Sequence, residues 1–143
     1  MRSDDFVAIQ QLQALYVHII DKKYWDRMGE IYAEDGVFDG SASDFGVHTG
    51  PANIAKQLAE RARSVHHTSN VFVESSPEDE SRAVGYAKFL MVGQDGAVRS
   101  GEYDDEYVRT PAGWRFQRRT SRVLAPSGWV HPSSQAAEGE SAT

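Results

Sequence analysis

Residues 82–125 read RAVGYAKFLMVGQDGAVRSGEYDDEYVRTPAGWRFQRRTSRVLA, and this stretch decides the fold. Three runs within it, 82–92, 97–109 and 114–125, alternate with a period of two. That repeat places successive side chains on opposite faces of a strand. Two short punctuations separate the runs. Gln94-Asp95-Gly96 offers glycine where a hairpin needs positive φ, and Pro111-Ala112-Gly113 does the same. Links this tight join antiparallel neighbours, so the three runs form a meander. A fourth strand, 65–74, precedes them across Pro77-Glu78-Asp79.

Upstream, the period lengthens to that of a helix. Ser3 can cap a run opened by Asp4 and Asp5, whose charges suit the positive end of a helix dipole. From Phe6 to Ile20 the apolar residues, Ile9, Leu12, Tyr16 and Ile19 among them, fall in one arc about 200° wide at the helical rotation. A second helix is expected over residues 24–33, carrying Trp25, Met28, Ile31 and Tyr32, and it ends at Glu34-Asp35-Gly36. A short strand, 37–39, holds Phe38, and a Gly/Ser-rich loop runs to Gly50. Pro51 opens a third helix to about residue 63. Helices first and a sheet after them make an α+β pattern. There is no βαβ alternation and no phosphate-binding glycine loop, which argues against a nucleotide-binding α/β fold.

The 143 residues suit one domain. The expected division is a pocketed domain over 1–125 and a C-terminal segment over 126–143. Within that segment Trp129 can fold back as a flap, and residues 133–143, rich in Ser, Ala, Glu and Gly, read as a disordered tail. The chain has no cysteine, which excludes disulfides, thiolate metal sites and a thiol nucleophile. A net charge of −6 disfavours nucleic acid as a partner. No apolar run approaches a membrane span. The acids of MRSDDF sit where a secretory core would begin, so a cytoplasmic location is expected.

Several residues have chemistry to offer. Asp21 lies at the C-terminal end of the first helix, where the dipole disfavours a carboxylate. It is either a solvated helix-end acid beside Lys22 and Lys23 or a partner that orients a base. On a straight helix it falls just outside the apolar arc, so the second role needs the helix to end there. Tyr16, inside the arc, is either tied into the core or pointed into a cavity. His66 and His67 open a strand and must face opposite sides, so they cannot share a metal; the histidine spacings carry no metal motif. One of them, aimed inward and held by a carboxylate, is a ready general base. Arg115, Arg118, Arg119 and Arg122 crowd the last strand. Regular alternation pairs Arg115 with Arg119 on one face and Arg118 with Arg122 on the other. An inward arginine must meet a carboxylate or an anionic ligand, and Asp104, Asp105 and Glu106 are the cross-strand candidates.

These residues, in order, resemble a known family. The first helix with Tyr16 and Asp21, Gly50-Pro51, His66-His-Thr-Ser-Asn70, Tyr103-Asp-Asp-Glu-Tyr107 and Gly113-Trp114 are similar to the SnoaL-like branch of the nuclear transport factor 2-like superfamily. The resemblance spans about residues 4–125. It implies a cone-shaped α+β barrel, with three helices wrapped by a strongly curved antiparallel sheet around a deep pocket. Within that branch the chain looks most like hexachlorocyclohexane dehydrochlorinases and bile-acid dehydratases. Those enzymes use a His–Asp dyad and no cofactor. The resemblance puts Asp21 and His66 in the dyad, with Tyr16 and Arg119 as further catalytic groups and Arg122 as a second arginine candidate. Trp25, Phe38, Asn70, Phe89, Tyr103, Arg122 and Trp129 are the expected substrate contacts. The bile-acid enzymes' additional acid is unmatched, because Tyr86-Ala-Lys-Phe-Leu has no carboxylate.

The expected function is a cofactor-independent lyase or isomerase acting on a small, largely apolar cyclic molecule, with no metal. The alternative is a non-catalytic ligand-binding or dimerisation module on the same fold. Apolar residues on both faces of the 65–74 and 82–92 strands, such as Phe72, Val73, Val84 and Leu90, lead us to expect a homodimer or larger homo-oligomer through the sheet.

Overall fold

A computed structural model describes residues 1–125 of the chain; Trp129 and the rest of 126–143 lie outside the described residues. Helix α1 covers Ser3–Asp21 and is followed by a short 3-10 helix, Trp25–Glu30. Strand β1 (Tyr32–Asp39), strand β2 (Val47–Thr49) and helix α2 (Pro51–Ala59) come next. The long strands β3 (Ser64–Ser75), β4 (Arg82–Gly93), β5 (Val98–Thr110) and β6 (Gly113–Ala125) complete the described part. They form one six-stranded sheet in the order β2-β1-β6-β5-β4-β3. All neighbours are antiparallel except β1 and β6, which run parallel. The sheet curls around α1 without closing, as expected of an α+β cone.

Three expectations about helices need correction. Ser3 is the first residue of α1 and Arg2 is its cap; the Asp5 carboxylate accepts the Arg2 backbone N–H at 3.2 Å. The second helix makes only a 3-10 turn. From Ile31 the backbone leaves it to pair with the sheet, the Ile31 carbonyl accepting the Phe116 N–H at 2.8 Å, and β1 begins at Tyr32. Gly29 and the branched Ile31 are poor helix formers, so little resists this exchange. Helix α2 stops at Ala59 rather than near residue 63, burying Ile54, Ala55 and Leu58.

Helix α1 ends where the site needs it to. Lys23 adopts a left-handed conformation, φ 57°. The Tyr24 N–H then reaches the Ile19 carbonyl at 2.9 Å, and the Lys23 N–H reaches that of Ile20 at 3.2 Å. This is the Schellman closure, with lysine in the place usually given to glycine. It makes Asp21 the last helical residue.

The core lies between α1 and the concave side of the sheet. Ile9, Leu12, Tyr16 and Ile19 pack against Phe89, Tyr103, Tyr107 and Phe116, with Met28, Ile31 and Ile54 closing one end. Phe6, at the margin of the predicted arc, is exposed. Small residues on the inner face of β4, Ala83 and Ala87, leave room for the helix. Two of the sheet's register irregularities bear on the site. In β3 the pairing shifts between Ser69 and Phe72, with Asn70 at φ 53°. In β6 Gln117 is squeezed out where Tyr107 pairs with Phe116 and Glu106 with Arg118, a β-bulge of one residue.

Candidate active site

The bulge in β6 decides which arginine is inside. Trp114 and Phe116 point inward, and the extra residue resets the alternation so that Arg119 and Ser121 point inward too. Arg115 instead faces out, where its Nε donates to the Gly29 carbonyl at 3.0 Å. Arg115 and Arg119 therefore do not share a face, contrary to regular alternation.

Arg119 is fully buried, and its guanidinium is consumed by structure. Nε and Nη2 donate to the two oxygens of Asp105 at 2.8 and 2.7 Å, and Nη2 also donates to Gln13 Oε1 at 2.6 Å. Gln13 Nε2 donates in turn to Asp105 Oδ2 at 2.8 Å and to the Tyr107 hydroxyl at 2.7 Å. The rings of Tyr103, Phe116 and Tyr16 surround the guanidinium carbon at 3.7, 4.2 and 4.3 Å from their centroids. Burial alone would lower the Arg119 pKa; the charge and hydrogen bonds of Asp105 hold it well above its ordinary value. Arg119 is not among the residues lining the main cavity. It sits in the packed layer beneath it, bracing β5, β6 and α1. Gln13 was not singled out in sequence, although its place between Ile9 and Tyr16 on the buried face of α1 marks it as an inward polar residue.

The main cavity, about 930 Å³, opens on the concave side of the sheet. Tyr16, Asp21, Trp25, Phe38, His66, Phe89 and Tyr103 all line it. Seven sequence candidates from α1, the 3-10 turn and four strands thus converge on one space. Three others do not. Asn70 occupies the β3 bulge in solvent, its Oδ1 accepting the Ser69 hydroxyl proton at 2.8 Å. Arg122 lies on the outer side of β6 and pairs with Asp104 at 3.0 Å. Arg119 is sealed as described, and Trp129 lies outside the described residues.

Asp21 and His66 meet at the cavity wall. Asp21 Oδ1 lies 2.6 Å from His66 Nδ1, and Oδ2 accepts the His66 backbone N–H at 2.8 Å. Both carboxylate oxygens hold the same residue, so ring and backbone are oriented together. An ionised carboxylate can only accept, so in the neutral imidazole the proton sits on Nδ1 and the lone pair on Nε2. The side chains are only 14% and 17% exposed, shielded from bulk water without being sealed. His67 faces the opposite way, into solvent. A second, smaller cavity of about 530 Å³ between α1 and β3 also touches both Asp21 and His66.

The cavity's aromatic wall is rigid. Phe89 stacks on Tyr103 with centroids 4.5 Å apart, over Gly101. A Cβ on Gly101 would stand 2.3 Å from Phe89 Cζ, so only glycine lets the ring lie there. Tyr16 meets Tyr32, Tyr103 and Phe116 edge to face. Burial raises its phenol pKa, partly offset by the Arg119 charge, and burial raises that of Tyr103 further. Both phenols therefore remain proton donors at neutral pH. Arg61, just after α2, also lines the cavity and was not anticipated; nothing in the sequence distinguishes it from Arg63. Among the described residues no cluster of His, Asp or Glu could hold a metal ion, and no helix is long and apolar enough to cross a membrane.

The fold and this site define a small α+β cone with a polar dyad at the wall of an apolar cavity. The chain belongs to the SnoaL-like domain family, whose pattern matches residues 1–120. A candidate aromatic ring hydroxylase from Novosphingobium aromaticivorans is 29% identical, with 88% of this chain and 93% of that one covered and a TM-score of 0.74. Two more distant structures share the fold. Hexachlorocyclohexane dehydrochlorinase LinA-type3 from Novosphingobium barchaimii is 21% identical, covering 88% of this chain and 94% of its own, at a TM-score of 0.70. A candidate scytalone dehydratase from Novosphingobium aromaticivorans is 23% identical, covering 82% and 83%, at 0.69. Among curated protein sequences none matches the chain.

Proposed function

We propose that the protein is a cytoplasmic lyase or isomerase that removes a proton from a small, largely apolar cyclic substrate with its own side chains, without a cofactor. The observation that carries this reading is the doubly anchored Asp21–His66 pair at the wall of a large cavity. His66 Nε2 takes the proton. Asp21 fixes the Nδ1–H tautomer and stabilises the imidazolium that forms. Tyr16 donates a hydrogen bond to the leaving group or to a polarised carbonyl. Arg119 acts on this chemistry only through its neighbours, by holding the Tyr16 and Tyr103 rings in place. A dehydrochlorinase and a candidate dehydratase on the same fold support an elimination as the reaction.

The test is a panel of hydroxylated and halogenated cyclic compounds, with release of water or hydrogen halide followed by mass spectrometry. His66→Ala and Asp21→Asn, each shown to be folded by circular dichroism, should lose turnover. Full turnover in either one rejects the reading. The cavity itself also fits a second reading, a non-catalytic ligand-binding module on the same fold. It predicts tight binding of ring compounds that are returned unchanged.

The outer sheet face supports a homodimer. Val65, Phe72, Tyr86, Leu90 and Val98 are each about half exposed, and Phe72 pairs with Tyr86 and Val65 with Val92 across adjacent strands. A second copy of the same face covers them in our proposal. Sedimentation at micromolar concentration should give twice the monomer mass, and Phe72→Lys with Tyr86→Lys should give a monomer. A wild-type monomer would contradict the proposal.

A further inference from the structure

We propose that Arg61 is the anion-recognition residue of the cavity, and that its ligand is an amphipathic acid: an apolar ring body bearing one carboxylate. This deepens the reading above and rests on the same cavity being a small-molecule site.

Arg61 has the placement of a binding residue and lacks the partners of a structural one. Its Nε and Nη2 are buried and make no hydrogen bond with any described residue. Two rings hold it instead. The guanidinium carbon lies 3.5 Å from the Phe45 centroid and 5.3 Å from that of Phe38. Leaving the buried nitrogens of a half-buried guanidinium without acceptors is costly. Arg119 shows how this same fold satisfies a structural arginine, with a carboxylate on two of its nitrogens.

Neither carboxylate lining the cavity, Asp21 or Asp95, bonds Arg61. Asp21 has both oxygens on His66, and Asp95 folds back on its own turn, Oδ1 accepting the Ala97 N–H at 3.0 Å. The ionisable groups around it are the phenols of Tyr16, Tyr103 and Tyr32, which stay neutral, and burial lowers the Arg61 pKa. Charge on the lining points the same way. Lys23, Arg61, Arg63 and Arg99 line the cavity against Asp21 and Asp95, with Arg63, Asp95 and Arg99 exposed at its mouth, in a chain whose net charge is −6. The approach to Arg61 is cationic on an acidic protein. A planar guanidinium fork stacked against an aromatic ring at 3.5 Å from its centroid can match a carboxylate in bidentate geometry. The surrounding apolar walls suit a monoanion, because a dianion is costlier to desolvate.

Calorimetric titration of the full chain with 2-naphthoate, 2-naphthamide and 2-naphthyl phosphate tests this. Wild type should bind the carboxylate at least about tenfold more tightly than the amide, the scale of one charge-assisted pair. Arg61→Gln should erase the difference and Arg61→Lys should keep part of it. Thermal melts establish that the variants are folded; should Arg61→Gln not fold, a weakened preference in Arg61→Lys carries the test. The titration reads binding and not turnover, so failure of the dyad as a catalyst leaves this result unmoved. Equal or absent binding of acid and amide to wild type at millimolar concentration overturns the proposal, as does an undiminished preference in a folded Arg61 variant. Tighter binding of the phosphate than of the carboxylate overturns the assignment of a monoanion.

Discussion

Two nitrogen–carboxylate pairs sit on the inner side of one curved sheet, and they differ in almost every respect that matters. Arg119 and Asp105 are fully buried, adjacent across β5 and β6, and joined to Gln13, Tyr107 and three aromatic rings. Asp21 and His66 come from a helix end and a strand start 45 residues apart, and they line two cavities. The first pair has almost every polar atom committed; among the described residues only Nη1 of Arg119 lacks a partner. The second leaves one imidazole nitrogen uncommitted beside an open space. An arginine cannot give up its proton at accessible pH, whereas a neutral imidazole can accept one. Charge alone does not make a catalytic pair. A free lone pair next to a cavity does.

The comparison breaks most visibly at His66. Alanine there should lower turnover by about 10²- to 10⁴-fold, the usual contribution of a positioned base, and leave the melting temperature nearly unchanged. A large loss of stability with retained activity would invert the roles given to the two pairs. Arg119→Met is the converse experiment. Stranding Asp105 in the core should cost about 3–5 kcal/mol, read as a fall in Tm on the order of 10 °C. Adding Asp105→Leu should recover much of it, since an apolar pair replaces a buried ionic one at little cost.

The aromatic layer between the two pairs offers a smaller test. Tyr16, Tyr32, Tyr103 and Tyr107 all have phenols raised above their ordinary value of 10.0 by burial. Their protonated forms favour the folded state, so this stability is complete below pH 10. It is lost as pH rises toward the folded values, because the unfolded chain ionises first. The slope is up to about 1.4 kcal/mol per pH unit for each phenol. Tyrosinate absorbance should therefore rise together with unfolding; ionisation of all six tyrosines while the fold persists would contradict the packing described. Smallest is the helix end that positions Asp21. Lys23→Gly should stabilise by roughly 1 kcal/mol by relieving the left-handed strain. Chemical denaturation measures this, and an unchanged His66 ring resonance by NMR would show that the dyad keeps its geometry.

How much of this could be read from the residues alone varied by element. The meander was visible because turn glycines and period two agree over residues 82–125. The long apolar arc made α1 equally plain. The 3-10 turn was read as a helix because Trp25, Met28, Ile31 and Tyr32 have helical spacing, and only sheet pairing with β6 pulls Ile31 and Tyr32 away from it. Of the site, Asp21, His66 and the aromatic wall were legible in the residues. Arg61 was not, because an unpartnered guanidinium has no sequence signature. Asn70, Arg119 and Arg122 were placed in the pocket by analogy of position, and two bulges moved them out of it or beneath it.

By itself the sequence determined the elements, the cysteine-free chemistry and the residue types available to a site, since these depend on local periodicity and composition. Tertiary structure decided which of two histidines faces inward, which arginine is sealed and which is free, and that Asp21 ends its helix within reach of His66. Those outcomes turn on a one-residue bulge in β6 and a left-handed lysine after α1. Each is a local conformation selected by packing across the sheet, and neither leaves a mark in the spacing of the residues themselves.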